Sequence, residues 1–77
     1  MNREELELVR ELDRRIRKID DTLEVLRKPM LVISSQMTGH VVKINSLDDV
    51  TVYSLKTAMI DVLESRKDEI EEQIERI

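Results

Sequence analysis

The chain has no cysteine, no tryptophan and no phenylalanine, and it holds a single proline, glycine, histidine and tyrosine in 77 residues. Without cysteine no disulfide can staple the fold, and one histidine cannot build a four-ligand zinc centre. Carboxylates alone hold a hard cation weakly, so neither a metal nor another cofactor is expected. The near absence of aromatics removes the stacking platforms that single-strand nucleic-acid binders use. No glycine-rich phosphate loop, Gly-x-Ser-x-Gly or His-Glu-x-x-His pattern occurs, and the paired carboxylates Asp20–Asp21 and Asp48–Asp49 are sequence neighbours that do not converge on a helix. The expectation is a protein that is not an enzyme. No long uncharged apolar run is present either, so neither a membrane span nor a signal peptide is expected, and the place of action is expected to be cytoplasmic.

What is abundant is charge: 39% of residues, both signs interspersed, with a net charge of −4. This pattern fits solvated helical surfaces, and the acidic balance argues against a dedicated nucleic-acid partner. A chain of this length forms one domain, 1–77, and hides only about 60% of its unfolded surface. With disulfides and metals set aside, oligomerisation is the remaining support for so small a core.

Between Asn2 and Lys28 the apolar positions step by three and four, with Val9, Ile16 and Leu23 at a and Leu12, Ile19 and Leu26 at d of a heptad. Asn2 followed by Glu5 resembles a capping box, and Pro29 closes the helix, which is expected over about 3–28. A second helix, over about 55–76, repeats the pattern through Ile60, Leu63, Ile70, Ile74 and Ile77, with Lys67 at one seam position. Leu55, Ala58, Met59 and Val62 give this helix a second apolar face near its start. Ser54 is the expected N-cap, with Ser46–Asp49 as the competing signature.

Residues 30–53 read as β-rich. "HVVKIN" (40–45) alternates as a strand and "VTVY" (50–53) is β-branched or aromatic, so the two predict a hairpin turning at Ser46–Asp49. "MLVIS" (30–34) reads as a third strand by β-branched content, or as a short helix between Pro29 and Gly39. The fold class is therefore mainly α (α+β): two long antiparallel heptad helices flanking a short β-hairpin or three-stranded meander, assembled as a homo-oligomer. Leu12, Ile16, Ile19, Leu23, Leu63, Ile70 and Ile74 are the expected core.

Three candidate sites stand out. The segment "SSQMTGH" concentrates Ser34, Ser35, Gln36, Thr38, Gly39 and His40, donors and acceptors suited to a small polar ligand, or equally to capping the loop's own backbone. Arg10, Arg14 and Arg17 fall on one helical face, flanked by Arg15 and Lys18, and can hold phosphates or pair with neighbouring Glu and Asp. Leu55, Met59 and Val62 form a candidate protein interface.

The succession of a heptad helix, a short β segment and "VTVYSLKTAMIDVLESRKDEIEEQIERI" resembles small accessory proteins encoded by bacteriophages and prophages. That resemblance implies a soluble oligomer acting by binding: an anti-defence inhibitor that occupies a host immune protein, or a sponge that sequesters a nucleotide signal in inter-subunit pockets. The layout also resembles a prefoldin subunit in miniature, with shorter helices. A structural coiled-coil adaptor is the third reading. The partners expected are thus the chain itself and either a host protein or a nucleotide-like anionic ligand.

Overall fold

The computed structural model describes residues 1–77. Helix α1 spans Arg3–Leu26, and its N-terminus is capped by Asn2, whose Oδ1 accepts from the Glu5 amide at 2.8 Å. It ends three residues before Pro29, where the ring would otherwise clash with the preceding turn. Strands β1 (Val32–Ser34) and β2 (Val41–Lys43) then pair antiparallel with Ile33 opposite Val42. A 3-10 turn over Ile44–Ser46 leads into helix α2, Asp49–Glu75, which runs back antiparallel to α1.

The mainly helical architecture with a small antiparallel sheet between two long helices is as expected, but the middle of the chain differs from the sequence reading. "MLVIS" supplies the first strand, the turn is made by Ser35–His40, and there is no third strand. "VTVY" is the first turn and a half of α2, not a strand, and Ser54 lies inside the helix rather than capping it. The physical reason is Asp48. Its carboxylate accepts from the Thr51 hydroxyl at 2.7 Å and from the Thr51 amide at 3.0 Å, which closes the helix six residues earlier than Ser54 would. Once the cap is set, Val52 joins Ile60 and Leu63 at i, i+8 and i+11 against the core, and this burial outweighs local β preference. Ser46, the other expected cap, instead donates its hydroxyl to the Lys43 carbonyl within the 3-10 turn.

The core is a seam one side chain wide. Leu12, Leu23 and Ile70 are buried as expected, whereas Ile16, Ile19, Leu63 and Ile74 are half-buried, because two helices alone cannot surround a fourth side. Leu26, Leu31 and Ile44 form a compact cluster at the hairpin base. There Ile44 N donates to Leu31 O at 2.9 Å, and Asn45 Nδ2 donates to Pro29 O at 2.7 Å. Lys67, placed in the seam by the heptad, turns outward and meets Asp20 at 2.7 Å across the helices. Arg27 and Glu64 pair at 3.6 Å, and Lys56 Nζ donates to Lys28 O at 2.9 Å, fixing the same antiparallel register.

Ile70 is 1% exposed and sits where both helices close on it, so Ile70→Ala is expected to cost about 3 kcal/mol, readable as a shifted urea midpoint. The Thr51 hydroxyl and amide hold the Asp48 carboxyl below its ordinary value of 3.8. A depressed folded-state pKa means that the cap contributes fully above the carboxylate range and is lost as pH falls through it. An acid titration of helicity is therefore expected to lose part of its transition in Asp48→Asn, while the variant is the less stable protein at neutral pH.

Candidate functional site

At the hairpin tip the polar side chains hold the turn together. Ser35 N donates to His40 O at 2.9 Å and Gly39 N to Ser35 O at 2.8 Å. The Ser35 hydroxyl accepts from Thr38 N at 3.4 Å, and the Thr38 hydroxyl accepts from His40 N at 3.2 Å. Gly39 adopts φ 71°, the left-handed region that disfavours a Cβ. Ser34, Gln36 and His40 are exposed, Met37 is almost wholly so, and none of the six candidate loop residues lines a groove.

The arginines lie elsewhere. Arg14 pairs with Glu11 at 3.0 Å and Arg17 with Asp13 at 3.1 Å, while Arg10 makes no ion pair. Arg17 lies nine residues before the end of α1, so at about 1.5 Å per residue it is more than 13 Å along the axis from the helix end that precedes the hairpin. Within one chain the loop and the arginine stripe are not brought together.

What the antiparallel register does assemble are two charged grooves on opposite flanks of the seam. One, of about 430 Å³, is lined by Arg14, Arg15, Lys18 and Arg66 with Glu11 as its only carboxylate, over a floor of Ile19, Leu63 and Ile70. The other, of about 580 Å³, gathers Asp20, Glu24, Glu64, Asp68 and Glu71 with Arg27 and Lys67. Four cations less one carboxylate make the first +3, and five carboxylates less two cations make the second −3. The raised pKa of Lys67 reflects its hydrogen bond to Asp20, then the Asp20, Glu71 and Asp68 charges. Arg66 was not a sequence candidate, since its meeting with Lys18 depends on how α2 folds back over α1.

Beyond the basic groove, towards the hairpin, the same flank becomes apolar. Thr22, Ala58, Met59, Val62 and Leu63 line a shallow groove of about 340 Å³. Leu55, Met59 and Val62, the expected interface, are 41%, 44% and 68% exposed. They follow one another at i, i+4 and i+7, which keeps them on one stripe. No helix is long and apolar enough to cross a membrane.

Because nothing lies within 4 Å of a Cβ built on Gly39, Gly39→Ala meets no clash and tests backbone conformation alone. It is expected to destabilise the hairpin by about 1 kcal/mol, seen as a lower melting temperature with the helices otherwise unchanged.

Set against protein-family models, curated proteins and solved structures, the chain matches none of them.

Proposed function

We propose that this chain is a non-enzymatic binding protein that works as a homo-oligomer, its apolar half covered by protein rather than by water. The observation that carries this reading is surface area. The chain exposes 6434 Å², whereas a monomer of 9.1 kDa typically exposes about 4,900 Å². The excess of about 1,500 Å² per chain is of the size that obligate homodimers bury. Elongation accounts for part of it, as the radius of gyration of 16.4 Å exceeds the roughly 11.5 Å of a compact domain of this length. Shape does not account for its chemistry: sixteen large apolar side chains are exposed against six buried residues. A two-stranded hairpin with Val32, Ile33, Val41 and Val42 all exposed is marginal by itself.

The hairpin tip uses its hydroxyls internally, which supports binding through shape and apolar area over chemistry at a polar centre. On this reading the partner that the phage-type layout implies is a host protein, engaged by apolar surface left over after self-assembly. Native mass spectrometry is expected to return a multiple of 9.1 kDa for the wild type and a smaller species for Met59→Glu, which places a charge in the apolar stripe. A monomeric wild type at micromolar concentration refutes the reading. The same spectra before and after denaturation test the nucleotide-sponge alternative, in which loops and arginines of different copies meet: released extra mass would install it instead.

A further inference from the structure

We propose that copies of this chain associate flank to flank, the basic groove of one against the acidic groove of the next, in a head-to-tail contact that gathers the hairpins at one end of the assembly. The inference rests on the homo-oligomer reading and adds its geometry. A +3 groove and a −3 groove lie on opposite flanks of one seam, so each protomer carries both halves of a complementary contact. The ion pairs already present do not neutralise them. In the acidic groove Lys67 and Arg27 engage Asp20 and Glu64, leaving Glu24, Asp68 and Glu71 without an ion pair. In the basic groove Arg14 and Arg15 share Glu11 and Arg66 pairs with Glu69 at 2.8 Å, while Lys18 has no ion pair, so a net positive charge remains even with Glu69 counted. The pairs within one helix, Arg14 and Arg15 with Glu11 and Arg66 with Glu69, are exposed, weak and easily exchanged for a partner's carboxylates.

The apolar surface fixes the direction. On α2 the stripe Leu55, Met59, Val62 leads at steps of three and four into Arg66 of the basic groove. The other stripe runs Val50, Tyr53, Thr57, Asp61 and then Glu64 of the acidic groove, with Val50 and Tyr53 76% and 73% exposed. Both flanks are therefore apolar near the hairpin and charged farther away. Side-by-side packing in the same direction sets apolar against apolar and cation against carboxylate together, whereas the opposite direction sets each against the wrong neighbour. A two-fold contact between basic grooves would oppose like charges, so the contact is heterologous, and it forms a ring if its rotation closes.

The test is charge reversal with cross-rescue, followed by light scattering on a sizing column and by helicity. Lys18→Glu with Arg66→Glu makes both flanks acidic, and Asp68→Lys with Glu71→Lys makes both basic; neither touches an ion pair that crosses the seam. Each variant alone is expected to fall in mass towards the 9.1 kDa protomer, and a 1:1 mixture to recover assembly with the two chains alternating. Wild-type association is expected to weaken on the order of tenfold between about 0.05 and 0.5 M NaCl. A wild type that is monomeric throughout defeats the oligomer reading itself. A wild type that assembles, with variants of unchanged mass or a mixture that fails to recover, defeats only this geometry. Should a variant lose helicity, salt-independent wild-type assembly overturns the proposal without it. Inorganic pyrophosphate that binds wild type through Lys18 and Arg66 while the assembly stays intact assigns the groove to a small anion instead.

Discussion

A seam one side chain wide is the constraint on which this structure depends. Two helices facing each other can enclose only the residues that point straight at the partner, and Leu12, Leu23 and Ile70 are those residues. Side chains one step to either side, such as Ile16, Ile19 and Leu63, are covered on one flank and open on the other. The hairpin seals one end of the seam through Leu26, Leu31 and Ile44 and brings little interior of its own. Its elongation and its exposed aliphatic stripes follow from having so little inside.

Charge then does the work that a larger core does elsewhere, which is to choose one arrangement among several. An aliphatic seam tolerates sliding by a heptad, since Leu, Ile and Val are similar in shape. Lys67 to Asp20, Arg27 to Glu64 and the Lys56 ammonium on the Lys28 carbonyl are satisfied together in one register only. Exposed pairs of this kind add little stability, and their value here is specificity.

The two long helices were legible in the sequence because heptad spacing is a strong, repeated signal and Asn2 and Pro29 mark the ends of the first. The middle was legible only in part. "VTVY" carries β-branched and aromatic residues whose preference is real but small, and the Asp48 cap with burial of Val52 overrode it. Asp48 was available as a signal, since Asp followed three residues later by Thr is a capping pattern, but it was masked by its neighbour Asp49 and by two serines. At the site level, the apolar stripe Leu55, Met59, Val62 was visible from spacing along one helix. The basic groove was half visible: Arg14, Arg15 and Lys18 are neighbours in sequence, whereas Arg66 joins them through the antiparallel register. The hydroxyls of "SSQMTGH" suggested a ligand or the loop's own backbone as their partner, and within the chain those of Ser35 and Thr38 serve the turn.

From Pro29 to Val42 no residue carries a formal charge, in a chain otherwise dense with charge. Apart from Lys43 at the end of β2, the hairpin strands therefore carry none of the charges that natural sheets use to discourage unwanted strand addition. The hairpin thus offers a short and nearly uncharged template to any extended segment it meets, including the same segment of another copy. Another chain laid over this edge would remove the template, and a protomer that stays uncovered keeps it open to fibrillar pairing.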